Sequence, residues 1–413
     1  MLPTVPVSPI RLDDYIEPAG EDVVKRLRKA AEPFKGARVL HINSTAFGGG
    51  VSELLLTHLG LMRDLGIEAN WQLIQGSEEF FAATKAAHNG LQGADIPWTA
   101  HMEQVYMERM RANAPDVDGS YDFYVIHDPQ PLGLLEVIQE QRRREGKWIW
   151  RCHIDTSSPN PKIWDYFAPK VNLYDAVIFT MKDFEQPQVS VPKVAFISPT
   201  IDPLSMKNVY LDPDTSYAVL RHYGIDRHRP IATQVSRFDP WKDPLGVIDA
   251  YRIVKKEWPQ LQLVLVGSLA HDDPQGWQYL EATEEYRRGD DDIHLLTNFE
   301  HVGNLEVNAF QRSSTVIVQK SLREGFGLVV SEGMWKKKVV VGGNVGGIRL
   351  QLSDGETGFL VDSVDECADR IGRVLSDPGL RYRIGNAALE RVRGEFLSLR
   401  ELEDYVTLME SLR

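Results

Sequence analysis

Short apolar runs that alternate with longer helical patterns are the feature that most constrains this 413-residue chain. Such alternation is typical of parallel sheets whose strands are joined by crossover helices, and it predicts an α/β fold. A polar segment with Pro203, Pro213 and Gly224 separates two series of runs, and a linker is expected near 200–208. The first series covers 37–43, 121–128, 148–155, 174–180 and 194–200, and the second covers 230–238, 261–268, 293–298, 315–321 and 338–343.

The charge balance limits the partners. The chain has 46 Lys and Arg against 59 Asp and Glu, a net charge of −13. This argues against nucleic acid and against an anionic membrane surface, although a small anionic ligand stays open. The N-terminus lacks an apolar run, and no apolar stretch reaches the length of a membrane span. Cys152 and Cys367 fall in different predicted domains. We therefore expect a cytoplasmic protein without a disulfide.

Ligands of open α/β sheets bind at the carboxyl ends of the strands. After the first run, Gly48, Gly49 and Gly50 precede an amphipathic helix. Glycines let the backbone approach a ligand closely, and the amides of a helix N-terminus attract an anion. The segment lacks the spacing of a dinucleotide site and the lysine of a P-loop. The alternative is that the glycines form only a tight turn.

Polar side chains follow two further runs of the first series. His127 and Asp128 end the run at 121–128 and Gln130 follows it, and His153 lies near the end of the run at 148–155. A carboxylate there suits sugar hydroxyls, because an unpartnered charge at a strand end is costly. An Asp-Pro turn is the alternative for Asp128. For His153 the alternative is a structural histidine, although it shares its sheet edge with Asp128.

Two cations lie at the end of the first run of the second series, Arg237 within it and Lys242 just after it. Arg237 and Lys242 flank a turn-forming Asp-Pro-Trp segment, and such a pair suits a diphosphate, since Arg binds phosphate bidentately and Lys supplies a point charge. The alternative is a surface pair. The charged runs 141–147 and 336–338 are interpreted as solvated faces.

The strongest local pattern follows the run at 315–321. Glu324 and Glu332 have seven residues between them, and Gly325 and Gly327 free the backbone before a helix from about 327. The first carboxylate can hold sugar hydroxyls and the second ribose hydroxyls, while helix-start amides face phosphate. Phe326 and Leu328 complete this predicted donor-binding segment.

The segment EGFGLVVSE resembles the E-x7-E motif of the family-four retaining glycosyltransferases, which have the GT-B fold. Four further segments are similar to the trehalose synthases of the glycosyltransferring type: HINSTAFGGGVSELL, IHDPQPLGLL, WRCHIDTSSPNP and SRFDPWKDP. These matches run in the same order over most of the chain. They imply two Rossmann-like domains facing across a cleft, at 1–203 and 204–394, with a C-terminal helix at about 395–413 completing the first domain.

The resemblance also implies an activity and its residues. The family forms trehalose reversibly from a nucleoside-diphosphate glucose and glucose. The resemblance assigns catalytic roles to Arg237, Lys242 and Glu324. The resemblance assigns donor binding to these three together with Gly49, Gly50, His153, Gly325, Phe326, Gly327, Leu328 and Glu332, and acceptor binding to His127, Asp128 and Gln130. No metal or cofactor is expected, the partners are sugars and a nucleotide, and a homodimer is left open. The alternatives are a retaining trehalose phosphorylase and a non-catalytic nucleotide-sugar sensor.

Overall fold

The computed structural model describes residues 1–47, 49–117, 119–269 and 274–413. They form two compact units. The first unit comprises Met1–Pro199 and Ser398–Arg413, and the second comprises Thr200–Leu397. The sequence analysis predicts this boundary after residue 203 and the return of the chain to the first domain at about 395. The C-terminal helix therefore belongs to the first unit.

The first unit is built on a six-stranded parallel sheet with strand order β2-β1-β3-β4-β5-β6. The strands are β1 (Arg38–Asn43), β2 (Glu68–Leu73), β3 (Phe123–His127), β4 (Lys147–Arg151), β5 (Ala176–Phe179) and β6 (Lys193–Phe196). The helices are α1 (Ile16–Ala19), α2 (Glu21–Ala31), α3 (Gly50–Asp64), α4 (Glu78–Leu91), α5 (Ala100–Asn113), α6 (Leu134–Gln141), α7 (Pro161–Val171) and, at the end of the chain, α16 (Ser398–Ser411). Short 3₁₀ helices lie at Leu12–Tyr15, Glu32–Phe34, Ala114–Asp116 and Lys182–Phe184.

Both faces of this sheet are covered by helices. Alternate side chains of a strand point to opposite faces, so Leu40 and Ile42 of β1 pack with α4 to α7, whereas Val39 packs with α2, α3 and α16. Because both faces are buried, the central strands read as continuous apolar runs. Because the strands are parallel, their carboxyl ends lie along one edge of the sheet.

The second unit repeats the plan with strand order β12-β11-β10-β7-β8-β9, again parallel throughout. The strands are β7 (Ile231–Val235), β8 (Gln262–Gly267), β9 (Ile293–Thr297), β10 (Val316–Gln319), β11 (Val339–Gly343) and β12 (Phe359–Val361). The helices are α8 (Pro213–His222), α9 (Pro244–Lys255), α10 (Pro274–Arg287), α11 (Asn304–Ser313), α12 (Leu328–Trp335), α13 (Gly346–Gln351), α14 (Val364–Ser376) and α15 (Pro378–Glu395). The 3₁₀ helices are Pro240–Lys242 and Asn298–Glu300.

The sequence reasoning missed β2 and β12, which are edge strands of their sheets. The sequence of β2, EANWQL, alternates polar and apolar residues rather than forming an apolar run. Strand β12 has only three residues. Among the described residues, no helix combines the length and the apolar character that a bilayer crossing requires.

Candidate active site

A largely buried ion pair lies at the carboxyl edge of the second sheet. Lys242 Nζ donates to Glu324 Oε2 at 2.6 Å, and the two side chains are only 14% and 9% exposed. Ser321 Oγ and Gln319 Nε2 also donate to Glu324 Oε2, at 3.0 and 3.3 Å. Burial opposes the charge on Glu324, but the Lys242 charge and the three donated hydrogen bonds outweigh it, and the pKa of Glu324 lies below its ordinary value. The carboxylate of Glu324 is therefore held charged.

The turn after β7 fixes the position of Lys242. Asp239 caps the 3₁₀ helix by accepting from the Lys242 backbone N–H at 3.1 Å, and Gln234 Nε2 donates to the Lys242 carbonyl at 2.8 Å. Asp243 follows in the left-handed region, with φ of 49°, and caps α9 through Gly246 N–H. The other carboxylate oxygen of Asp243 pairs with the buried ammonium of Lys320, directly after β10. The carboxyl ends of two neighbouring strands are thus tied together.

Arg237 lies at the same edge but is much more open. Its side chain is 58% exposed, and Nη2 lies 3.3 Å from Asp239 Oδ2. Asp239 therefore stands between the two predicted cations, because its other oxygen caps the turn that carries Lys242. The structure brings Arg237 and Lys242 to one place, with Lys242 anchored and Arg237 able to reorient.

The glycine-rich loop from Glu324 to Leu328 packs too tightly for larger residues. Gly327 adopts a φ of 79°, the left-handed region that favours glycine. A Cβ on Gly347 would lie 2.4 Å from the Cα of Phe326, so α13 closes directly on the loop. Gln351 Nε2 donates to the Phe326 carbonyl at 2.6 Å, and Gly347 N–H donates to the Glu324 carbonyl at 3.1 Å. Phe326 and Gly325 are buried, so the loop contributes backbone rather than the Phe326 side chain to this edge of the sheet.

Glu332 lies inside the unit. It is 1% exposed in α12, where Gln311 Nε2 donates to Oε2 at 2.8 Å and Lys207 Nζ lies 3.6 Å from Oε1. Its role toward a ribose stays a prediction.

Lys336 is also buried. Its ammonium donates to Asn208 Oδ1 at 2.8 Å and to the Glu332 carbonyl at 3.2 Å. The interpretation of 336–338 as a solvated face is therefore wrong for Lys336, because the α12 C-terminus turns it inward.

A chain of three histidines crosses the carboxyl edge of the first sheet. His41 of β1 is joined to His127 of β3, Nδ1 to Nε2, at 3.0 Å, and His127 Nδ1 is joined to His153 Nε2 at 3.0 Å. Burial lowers the pKa of all three, to about 3 for His41. The positive charges of nearby groups, His58 for all three and Arg151 for His127 and His153, lower these pKa values further. The chain is therefore neutral, with one proton for each ring.

Asp128 is held in a strained conformation next to this chain. Its φ is 62°, which costs a non-glycine residue on the order of 1 kcal/mol. His153 N–H donates to Asp128 Oδ1 at 2.8 Å, and Trp150 Nε1 donates to the Asp128 carbonyl at 3.0 Å. Burial raises the pKa of Asp128 to about 7, despite the His153 N–H and the charge of Arg151, which both lower it. Backbone strain held by such contacts is typical of functional positions.

The remaining predicted residues of the first unit flank this edge. Gly49 is the N-cap of α3, and a Cβ there would meet no atom of the described residues beyond its chain neighbours within 4 Å. Packing therefore does not require a glycine at this position. Gly50 begins α3, and Gln130 is partly exposed beside Asp128. Gly48 lies outside the described residues.

Sequence reasoning missed a buried polar group beneath the histidines. Glu401 of α16 is 1% exposed, with Oε2 lying 3.6 Å from His58 Nε2 and Oε1 lying 4.0 Å from Arg151 Nη2. The arginine inside the apolar run WIWRCHID was an available signal, since a buried charge requires a partner. Nothing local in the sequence identifies Glu401, because it comes from the other end of the chain.

Comparison with known proteins gives the same reading for both halves. Residues 41–186 match the family described as trehalose synthase, N-terminal domain, and residues 220–391 match glycosyl transferases group 1. A trehalose synthase of Rubrobacter xylanophilus is 46% identical over 404 residues, 97% of each chain. A trehalose phosphorylase of Pleurotus pulmonarius is 26% identical over 93% of this chain and 58% of its own length.

Solved structures support the fold. A UDP-forming α,α-trehalose-phosphate synthase from Burkholderia xenovorans superposes with a TM-score of 0.73 at 16% identity, over 92% of this chain and 99% of that one. Two parallel α/β units with these matches define a glycosyltransferase of the GT-B fold. The chain belongs to the trehalose synthase family, and its reaction is a trehalose-related glycosyl transfer.

Proposed function

We propose that the enzyme transfers glucose from a nucleoside-diphosphate glucose to free glucose, forming trehalose with retention of configuration, and that it also runs the reverse reaction. The Lys242–Glu324 ion pair, with Arg237 beside it, carries the proposal. It supplies fixed positive charge for a leaving diphosphate and a carboxylate for the transferred sugar at one sheet edge.

The second unit binds the donor. Charge grows on the diphosphate as the glycosidic bond breaks, and preorganised cations stabilise that charge. A lysine ammonium has three donors, so Lys242 can keep Glu324 and still bind a phosphate oxygen. The described hydrogen bonds to the Glu324 carboxylate all end on Oε2, which leaves Oε1 for a sugar hydroxyl. Glu332 holds the ribose, and the backbone from Gly325 to Leu328 faces phosphate.

The first unit binds the acceptor through His127, Asp128 and Gln130, while His153 and the amides at Gly49 and Gly50 serve the donor. In the transfer step the bond from the sugar C1 to the diphosphate oxygen breaks and the bond from C1 to the acceptor oxygen forms on the same face. The acceptor proton moves to a phosphate oxygen, so no protein base, metal or cofactor is needed. Glu324 does not act as a nucleophile.

A substrate panel tests the reaction. UDP-, ADP- and GDP-glucose are each incubated with glucose, and the product linkage is determined by NMR. We expect an α,α-1,1 linkage, reversal with trehalose and the nucleoside diphosphate, and turnover that survives EDTA. Another linkage would contradict the assignment of trehalose as the product but not the assignment to the glycosyltransferases. Loss of turnover with EDTA, restored by metal, would reject the role given to Arg237 and Lys242.

The similarity to a trehalose phosphorylase over 93% of this chain defines the rival reaction. A phosphorylase releases glucose 1-phosphate from trehalose and inorganic phosphate without a nucleotide. Activity under those conditions alone would replace the proposal. Donor binding without any turnover would instead indicate a nucleotide-sugar sensor.

A further inference from the structure

A cavity of about 400 Å³ lies at the amino ends of β10 and β11 in the second unit. Thr315 immediately precedes β10 and Lys338 immediately precedes β11. Since Glu324 follows the carboxyl end of β10, the cavity lies at the opposite end of the strands from the donor residues. Its lining includes Thr315, Lys337, Lys338, Arg381 and Tyr382.

The lining contains three cations and no carboxylate, in a chain where acidic residues outnumber basic ones by 59 to 46. In the described parts of the chain, neither Lys337 nor Lys338 forms an ion pair. Burial and the charges of Arg312 and Arg381 lower the pKa of Lys338 to about 8, so the like charges are close enough to repel one another. A bound anion would relieve that repulsion.

The cations are fixed by the fold rather than by flexible side chains alone. Lys337 adopts a φ of 59°, in the left-handed region, and a Cβ on Gly385 of α15 would lie 2.3 Å from the Lys337 carbonyl. Arg381 Nη1 donates to the carbonyls of Val374 and Leu375 at 2.5 and 3.0 Å, at the C-terminus of α14. The helix C-terminus of α12 accounts for a nearby cation through its partial negative charge. The C-terminus of α14 accounts for Arg381 in the same way, but neither helix end accounts for three cations lining one cavity.

We infer that this cavity binds a phosphate-bearing small molecule at a site separate from the donor site. Arg and Lys side chains are the residues that bind phosphate oxygens, and the volume lies in the range of small-molecule sites. Thr315 and Tyr382 line the same space, and Tyr382 is 75% exposed. The inference does not depend on the proposed reaction.

Calorimetric titration at constant ionic strength tests the site, with inorganic phosphate and glucose 6-phosphate as probes. The background is Arg237→Gln/Lys242→Gln, which disables phosphate binding by the donor residues. We expect binding in this background, and at least about a tenfold loss of affinity when Lys338→Gln/Arg381→Gln is added, because charged hydrogen bonds to phosphate are removed. Tighter binding of the ester indicates that the sugar is also recognised, and equal binding indicates recognition of phosphate alone.

The matched control is Lys256→Gln/Arg383→Gln, which removes two exposed cations from the same unit, one of them on α15. It should leave the affinity unchanged. A second variant, Lys337→Asn, removes one cavity cation while suiting the left-handed backbone, so it keeps the test valid if the double variant fails to fold. Absence of binding, or equal loss in the control and cavity variants, would overturn the inference.

Discussion

The carboxyl edges of the two sheets are both formed by parallel strands, but their electrostatics differ. In the first unit, burial keeps His41, His127 and His153 neutral. In the second unit Glu324 is buried as well, but the charge of the partly buried Lys242 lowers its pKa and keeps the carboxylate charged. One scaffold thus provides directional hydrogen bonding for hydroxyl groups at one edge and fixed charge at the other. The difference matches the proposed division between acceptor and donor.

The largest expected effect comes from removing the charge. Lys242→Ala or Arg237→Ala should each lower turnover by roughly 10²–10³-fold, the scale for losing one group that stabilises developing charge. Their effects on stability should differ, since Lys242→Ala leaves Glu324 buried without its cation, whereas Arg237 is 58% exposed. Steady-state kinetics and thermal unfolding measure both quantities.

Lys256→Ala, at an exposed lysine of the same unit, is the matched control and should change neither quantity. If only the KM for the acceptor rises, Arg237 and Lys242 bind the acceptor and not the donor diphosphate, contrary to the proposal. An unchanged melting temperature in Lys242→Ala would contradict the burial of the pair.

The second prediction concerns acid. The histidines of the first edge have folded-state pKa values below 6.5, so the unfolded chain binds more protons below pH 6.5 and stability falls as the pH falls. Each ring contributes up to about 1.4 kcal/mol per pH unit. Asp128, with its pKa raised to about 7, acts in the opposite direction and offsets one ring. Glu324 loses its contribution only below its ordinary value of 4.5.

Between pH 6.5 and 5, hydrogen exchange should therefore accelerate around β1 and β3 much more than around β7 and β10, after correction for intrinsic rates. His41→Asn should flatten this dependence by about one ring's share. Equal acceleration in both units would contradict the electrostatic difference between the two edges.

The sequence predicts the central strands and the carboxyl ends of these strands, because buried parallel strands appear as apolar runs whose ends are easily located. It missed β2, whose EANWQL pattern is half polar, and it placed Lys242 on the diphosphate without its ion pair to Glu324. It had no means to find Glu401, which reaches Arg151 and His58 from the far end of the chain. Contacts between distant segments leave no local pattern.

A glycine kept for a ligand rather than for packing gives the third prediction. Gly49 has an extended backbone, with φ of −169°, and open space around its missing Cβ. Gly49→Ala should change the free energy of unfolding by less than about 1 kcal/mol, because alanine fits this backbone. If amides at this helix start approach the diphosphate, the KM for the donor should rise about tenfold. An unchanged KM would mean that the glycine serves only the turn.

The smallest effect should come from the buried end of the histidine chain. His41 is fully buried, so any influence on substrate must pass through His127. In a chain of neutral rings, a ring that donates through one nitrogen accepts through the other, so the tautomer of His41 sets whether Nδ1 of His153 donates or accepts. Losing one such hydrogen bond is worth about 1 kcal/mol, so His41→Asn should lower kcat about fivefold.

The pH profile distinguishes this coupling from a packing defect. Since His41 lowers the pKa of His127, His127 should titrate closer to the ordinary value of 6.5 without it, and the acidic limb of the activity profile should move upward in pH. Leu59→Ala removes a buried side chain of the same unit without touching the histidine chain. It should lower the melting temperature and leave the acidic limb in place. The same shift in both variants would mean that the chain only fills space.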